Sequence, residues 1–421
     1  MVTRHWGGLG LALLMQRQGS DVVCATDVGG LTGKELAATE LIGDGLVEKM
    51  PLAKAMQTLK GPETLWIFDA NDLPHEADRL REQGQLVLGT SALSRKLEDD
   101  RDYAAQVAEE LGFSLPETEE FTNPQAGLQF LQQHADQAFV FKPDKQDPTA
   151  TYVPLPDAEP EQANDEVQRY LESLDHAPKY ILQEQVQGIE VNFELWVHQG
   201  KPLAAFCDLE AKRRLVGDLG DLCGCAGDYV FTVPLDHPLL AETVGRYLKW
   251  QPLQDYTGSV DANVMLAPEQ AYFLENCFRF GYNAYATVFQ ALATAEAESL
   301  FRAWAQGDPQ VTSGFSEDVG GSLTLMIDHP QTGFPILIPS PLEAHTYLYR
   351  GYHQDSGLAM VDRWSEIACV TALGSTPEEA GSLCLERASQ IGFPNKGYRT
   401  DLAEAGGAML PITRYHQLGL R

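Results

Sequence analysis

The hydrophobic positions in the first 90 residues fall into short runs separated by amphipathic stretches. "TRHWGGLGLALLMQRQGSDVVCAT" holds a glycine turn, apolar residues at helical spacing and a short apolar run. It predicts turn, helix and a strand over Asp21–Thr26. Only Met1, Val2 and Thr3 precede the turn, so the first strand is expected to be very short or to lack its start. The apolar stretch after Arg4 is short and glycine-rich, ends in Gln16, Arg17 and Gln18, and meets no small-residue cleavage site. A glycine turn entering a helix is expected there, not a leader peptide. "TLWIFDAND" reads as a buried strand ending in polar residues, and "PHEADRLREQGQLVLGTS" as a helix and a further strand. Strands alternating with helices imply a parallel α/β sheet.

Further along, "SRKLEDDRDYAAQVAEELGF" predicts one charged amphipathic helix, and "QAFVFKPD" a strand carrying Lys142. The Pro- and Asp-rich stretch 143–164 reads as irregular. "YILQEQVQGIEVNFELWVHQGKPLAAFCDLE" predicts consecutive strands with a turn at His198–Lys201, and "VGDLGDLCGCAGD" a glycine-rich loop. "GSVDANVMLAPEQAYFLENCFRFG" predicts two strands joined near Ala267–Gln270. "SLTLMIDHP", "GFPILIPSP" and "EIACVTALG" read as strands. "STPEEAGSLCLERASQIG" reads as a helix capped by Ser375 or Thr376. There is no internal repeat.

The chain has 421 residues and a net charge of −30. Such acidity argues against phosphate-backbone binding of nucleic acid, which needs a basic surplus. No apolar run has the length of a membrane span. Seven scattered cysteines do not form a disulfide framework, and Cys223 and Cys225 lack a second pair for zinc. Reduced thiols and a cytoplasmic setting are the expectation.

Side chains two apart share a face of a strand. Asp261 therefore shares a face with Asn263, and Glu275 with Cys277, while Asn276 points away unless a local bulge turns it inward. If the two strands pair, Asp261 and Glu275 converge, and two carboxylates suffice for magnesium that also binds substrate phosphates. A solvent-facing acidic pair is the plain alternative. Lys142 on an apolar strand needs a partner, and a phosphate is one. Glu184 and Glu190 flank a turn at Gly188, where backbone and carboxylates suit an adenine and a ribose. Gly7, Gly8 and Gly10 either bind a substrate phosphate at a helix N-terminus or form a structural turn. Asp69, Asn71 and Asp72 end a strand, where α/β sheets place ligands, or simply cap a loop. Arg399 and Asp401 either serve a substrate or pair with each other.

A lysine strand, an acidic hinge and paired-acid strands, in that order, resemble an ATP-grasp nucleotide site. The chain is similar to phosphoribosylamine–glycine ligase and its shorter, divergent phage-type relatives. The likeness lies in "AKRRLVGDLGDLCGCAG", in "FLENCFRFG" with Glu275, Arg279, Phe280 and Gly281, in "KLEDDRDYAAQVAEELGFSLPET" with Arg101, and in "VTALGSTPEEAGSLCLERASQIGFPNKGYRTDL" with Tyr398, Arg399 and Asp401. The resemblance implies an α/β and α+β multidomain ATP-grasp fold. It implies a Rossmann-like domain over 1–93, an ATP-grasp region over 94–305 with a small lid at about 115–190, and a C-terminal α+β domain over 306–421. It also implies an ATP-dependent carboxylate–amine ligase working through an acyl phosphate, with small-molecule acid and amine partners, as a monomer or homodimer.

In that scheme Arg101, Lys142 and Lys145 hold phosphates, and Glu184, Gln185, Val186 and Glu190 hold the nucleoside. Asp261, Glu275 and Asn276 take magnesium, or manganese in its place. Arg279, Lys212 and Arg213 are the catalytic cations. Gly7, Gly8, Asp69, Asn71, Asp218 and Arg399 face the substrates. The family's "G-G-R-E-H" is here "GGLGLA", its "G-P-E-x-P-L" is "FDANDLP", and its glycine-rich phosphate loop is "DKQDPTATYV". These departures point to another substrate pair, or to a weakened protein that binds nucleotide or metabolite without turnover. A genuine phosphoribosylamine–glycine ligase of purine biosynthesis is the third reading.

Overall fold

The computed structural model describes residues 1–143, 151–155, 158–174, 179–268 and 270–404. Its first part is a parallel sheet. Strands β1 (Val2–Thr3), β2 (Val23–Thr26) and β3 (Glu48–Pro51) pair in the order β1-β2-β3, while β4 (Leu65–Ile67) pairs with β5 (Leu86–Leu88). A parallel bridge between Val2 and Phe68 joins the two groups. Helices α1 (Leu9–Arg17), α2 (Gly33–Leu41), α3 (Leu52–Thr58) and α4 (Pro74–Glu82) make the connections. The first strand is thus the short one expected, and the apolar stretch behind Arg4 is α1.

The single charged helix expected after this sheet is two: α5 (Ala92–Asp99) and α6 (Arg101–Glu110). Asp100 breaks it because its carboxylate accepts from Tyr103 N, capping α6 and leaving helical geometry itself. A three-stranded antiparallel sheet follows, β6-β8-β7, built of β6 (Thr118–Phe121), β7 (Phe139–Pro143) and β8 (Tyr180–Glu184). Helices α7 (Pro124–Gln133) and α8 (Pro160–Ser173) cover it. This lobe has its own small core, including Leu131, Phe139, Phe141, Val167 and Tyr180. The stretch expected to be irregular to 164 turns helical at Pro160, a residue suited to a first helical turn.

The largest element is an eight-stranded antiparallel sheet. In chain order its strands are β9 (Ile189–His198), β10 (Lys201–Leu215), β11 (Leu219–Thr232), β12 (Gly258–Leu266), β13 (Ala271–Asn276), β14 (Val319–Met326), β15 (Thr346–Leu348) and, after the hairpin β16 (Tyr352–Gln354) and β17 (Gly357–Ala359), β18 (Glu366–Gly374). The spatial order is β13-β12-β9-β10-β11-β14-β18-β15. The expected boundary at 305/306 therefore falls inside one continuous sheet. Gln199 and Gly200, both at positive φ, turn β9 into β10. The expected glycine-rich loop is mostly strand: only the tip around Gly217 and Asp218 turns, again at positive φ, and register shifts let both arms run on. "GFPILIPSP" makes only isolated bridges at Pro335 and Leu337, because its prolines cannot donate to a ladder.

Strand β9 shows how the sheet divides its faces. Val191, Phe193, Leu195 and Val197 join one buried core with Val260, Ala262 and Val264. The alternate residues, Glu190, Asn192, Glu194 and Trp196, look to the other side. There Trp196 stacks on Trp304 with ring centroids 4.1 Å apart and planes 4° apart. Trp304 belongs to α11 (Ala297–Gln306), which with α10 (Tyr282–Thr287) packs over that face. The short α9 (Pro238–Glu242) precedes β12, and α12 (Pro377–Gln390), capped by Thr376, packs behind β14 and β18.

Candidate active site

The polar residues of β9 meet matching residues on both neighbours. Asn192 lies opposite Asn263 of β12 and Asp208 of β10, and Glu194 lies opposite Asp261. Asn263 in turn lies opposite Glu275 of β13. Asp261 and Glu275 thus share one sheet face, as expected if β12 and β13 pair. Asn263 Nδ2 donates to Glu275 Oε1 at 3.0 Å.

Three basic residues gather around Glu275. Lys212 bonds Glu190 and lies 3.5 Å from Glu210. Burial opposes its charge, but Glu190, Glu210 and Glu275 overcome this and hold Lys212 well above the ordinary lysine range. Lys142, at the end of β7, is pushed down by burial, and the charges of Arg101 and Lys212 add to that effect against Glu275 and Glu190. Burial also works against the Glu275 carboxylate, yet Lys212, Lys142, the Asn263 amide and Arg279 together hold it below its usual range. A carboxylate kept ionised between cations marks the junction of the small lobe and the large sheet. Arg101 reaches the same junction, donating to Pro143 O at 2.7 Å.

The residues fit magnesium. Asp261 Oδ1 and Asn263 Oδ1 are buried with no hydrogen-bond partner, and both are hard oxygen acceptors beside Glu275. No group of three His, Cys, Asp or Glu side chains stands close enough to hold a metal among the described residues. An ion here therefore depends on substrate oxygens as well. Asn276 does not join the set. It pairs with Ala262 on the opposite face, is fully buried, and accepts from the Tyr247 hydroxyl at 2.7 Å. A register shift does occur between Asn263 and Val264, but it leaves Asn276 facing away. Cys277 is held protonated by burial.

Glu184 ends β8, and its carboxylate accepts from Glu117 N at 3.3 Å. Gln185 N donates to Ala138 O at 2.7 Å, and Gln185 Nε2 to Pro154 O at 3.3 Å. Val186 is half-buried in the link to β9. These hinge residues, with Glu190, border the junction that holds Lys142. Lys145 lies outside the described residues.

Other expected residues have structural employment. Arg213 donates to Gly220 O at 3.0 Å and to the carbonyls of Val153 and Pro154, tying the β10–β11 hairpin to the segment before α8. Arg399 is fully buried, grips Asp401 through Nε and Nη2 at 2.9 and 2.6 Å, and pairs with Asp218. Asp401 also accepts from Gly217 N at 2.9 Å. The Arg399–Asp401 alternative raised by the sequence is the arrangement found, and Asp218 is part of it.

On the N-terminal side, Gly7, Gly8, Asp69, Phe280, Tyr285 and Tyr347 line a small cleft. Gly8 N donates to Asp69 Oδ2 at 2.7 Å at the start of α1. Burial pushes Asp69 up to about 6, against the bonds from Thr3 and Gly8. Asn71, two residues on, belongs to a chain of bonds: Ser94 Oγ donates to Asn71, Asn71 Nδ2 to Glu98 at 2.7 Å, and Arg279 Nε to Glu98 at 2.8 Å.

Sequence reasoning missed Glu98, Asn192, Glu194, Asp208, Glu210 and Asp228. Five of these carried a signal, since "EVNFELW", "CDLEAK" and "GDY" place polar residues at alternate positions of otherwise apolar strands. Glu98 had none, because its place depends on the break at Asp100.

No family model matches the sequence, and neither does any curated protein. Solved structures do match the fold. Phosphoribosylamine–glycine ligase from Thermotoga maritima aligns at TM-score 0.64 and 17% identity, over 95% of this chain and 98% of that one. Biotin carboxylase from Campylobacter jejuni, in an ATP complex, aligns at 0.60 and 9%, over 99% and 94%. L-amino acid ligase from Bacillus licheniformis aligns at 0.57 and 12%, over 93% and 97%. At such identities the likeness speaks for architecture: this chain has the ATP-grasp fold, in the arrangement seen in phosphoribosylamine–glycine ligase.

Proposed function

We propose that the protein is an ATP-dependent carboxylate–amine ligase whose substrate is not phosphoribosylamine. The observation that carries the first half is that Lys142, Lys212 and Arg279 all act on the Glu275 carboxylate where the small lobe meets the large sheet, a cluster of cations suited to a triphosphate. The named neighbours include an ATP complex and an amino acid ligase, which supports the same reading.

In this reading the acid substrate's carboxylate attacks the terminal phosphorus of ATP and ADP leaves. The amine then attacks the acyl carbon and phosphate leaves. Lys142 and Arg101 orient the phosphates from the lid side. Lys212 and Arg279 face them from the sheet and offset charge gathering on the transferred group. Glu184, Gln185, Val186 and Glu190 receive the nucleoside. Magnesium would be held by Glu275 and Asp261, with Asn263 beside them, and when bound neutralises the phosphate oxygens.

Asp69 supports the second half. The start of α1 is where a phosphorylated substrate would seat its phosphate, and the chain already fills it with its own carboxylate. The weakened-protein reading draws on Arg213, which is spent on the hairpin and the segment before α8 instead of on a substrate. ADP release with magnesium across a panel of acids and amines separates the two. Release that disappears in Lys142→Ala supports a ligase; nucleotide binding with no release across the panel rules it out.

A further inference from the structure

Two cations of the site are backed in the same way. Behind Arg279 stands Glu98, to which Asn71 Nδ2 donates at 2.7 Å. Behind Lys212 stands Glu210, whose Oε2 lies 3.5 Å from the lysine Nζ. Asn192 Nδ2 donates to that same oxygen at 3.0 Å. An amide that holds an acid, and an acid that holds a cation, thus occurs twice, and both cations act on Glu275.

The backbone alone does not aim Lys212. The β9–β10 ladder ends at the Asn192–Asp208 pair, short of the lysine. In the β10–β11 ladder a register shift separates Ala211 from Arg213, and Lys212 lies within it. Such irregularities turn side chains out of plain alternation and recur beside active sites. Lysine adds a flexible stem and three rotatable donors, so its direction here is set by its partners.

The two acidic partners of Lys212 differ in place. Glu190 bonds it directly, but its side chain is 37% exposed and stands in the stretch proposed to receive the nucleoside. Ribose hydroxyls there compete with Lys212 for the Glu190 oxygens. Glu210 is 17% exposed and lies behind the lysine. Burial, aided by Glu190, pushes Glu210 above the usual carboxylate range, while Lys212, Arg279 and the Asn192 amide oppose the shift. Its Oε2 accepts in either state, because a proton would sit on the other oxygen. The hold on Lys212 therefore does not require a second negative charge.

We infer that Glu210, held by Asn192, is a positioning residue that keeps the Lys212 ammonium on the phosphates once Glu190 turns to the nucleoside. The inference deepens the ligase reading and rests on it for the place of Lys212 beside the phosphates. A double-substitution cycle on the full chain tests it, with Lys212→Ala and Glu210→Leu made singly and together. Leucine fills the volume of Glu210 and removes its accepting oxygen. The readouts are MgATP affinity by calorimetry and ADP release across the panel of acids and amines, with thermal melts to check folding.

Glu210→Leu is expected to weaken MgATP binding about three- to tenfold, the worth of one hydrogen bond. It should lower kcat about tenfold or more, as misplacement of an aligned group does. In the Lys212→Ala background the same change should alter either quantity less than about twofold, since residues that act through one another do not add. Glu210→Gln, which keeps an accepting oxygen, should recover most of the loss. Asn192→Leu should show the same dependence on Lys212, and serves if Glu210→Leu does not fold. Wild-type affinity and turnover in Glu210→Leu would overturn the inference. A loss of equal size with and without Lys212 would mark a general effect on the sheet and overturn it as well. MgATP binding that follows the expected cycle, without ADP release from any acid and amine, would leave Glu210 in this role while removing the ligase reading.

Discussion

Arg279 and Asn71 hold opposite oxygens of one carboxylate, Glu98, at 2.8 and 2.7 Å. Arg279 follows β13 of the large sheet, and Asn71 follows β4 of the parallel sheet. Glu98 on α5 therefore fixes the guanidinium relative to both. If Arg279 steadies the transferred phosphoryl group, its aim depends on a residue that touches no substrate.

Glu98→Ala is expected to lower the rate of ADP release by about ten- to a hundredfold, as loss of an orienting partner typically does. Arg279→Ala should cost more, about a hundred- to a thousandfold. Thermal melts check that both variants are folded. A Glu98→Ala enzyme with wild-type turnover would show that Arg279 needs no such support.

Glu275 and Asn276 are adjacent but face opposite sides, so their substitutions should differ in kind. Glu275→Gln should raise the magnesium concentration needed for half-maximal ATP binding at least tenfold, with little change in melting temperature. Tyr247→Phe, which strips Asn276 of its donor, should destabilise by about 1–3 kcal/mol and leave the magnesium requirement alone. A magnesium titration followed by calorimetry, alongside denaturant melts, measures both.

Arg399 is expected to be structural. Arg399→Ala leaves Asp401 buried and unpaired, and should cost about 3–5 kcal/mol of stability. Denaturant unfolding gives that number. Should the variant keep its stability and lose affinity for one substrate, Arg399 would belong to the binding site after all.

The buried carboxylates set a pH dependence. Burial pushes Asp69 up to about 6, and Glu194 and Asp228 up to about 7. In the unfolded chain these groups ionise near 4. Between about 4 and 7 the folded state therefore binds protons that the unfolded state has lost, and stability falls as pH rises through that window. Without ligands, the melting temperature should be higher at pH 5.5 than at pH 8. Glu194→Gln should flatten the difference. A melting temperature that climbs with pH over this range would contradict the assignment.

Much of the architecture could be read from alternation. The two-residue phase of β9 and β12 is visible in "EVNFELWVH" and "GSVDANVML", and it sets Asp261 and Asn263 on one face; that Glu275 joins them follows from the pairing of β12 with β13. The β9–β10 turn was equally plain at Gln199 and Gly200. What could not be read depended on distant partners. Asp100 splits a helix because its side chain finds Tyr103 N, and nothing in the local pattern distinguishes it from Asp99. Arg399 and Asp218 are 181 residues apart, so only folding shows that each is the other's partner. Asp69 looked like a substrate residue because it ends a strand; that it seals the start of α1 follows from a contact across 61 residues.

The continuous sheet has a consequence for how the chain can be divided. Strand β14 pairs with β11 through Gly227, Asp228, Tyr229 and Val230. Cutting the chain at 305 would strip β11 of its neighbour and leave the unpaired side of a long strand open to solvent. Such a side invites a second copy to pair along it. The C-terminal third is better regarded as the hem of the large sheet than as a separable module, and a shortened protein should aggregate more readily than the intact one.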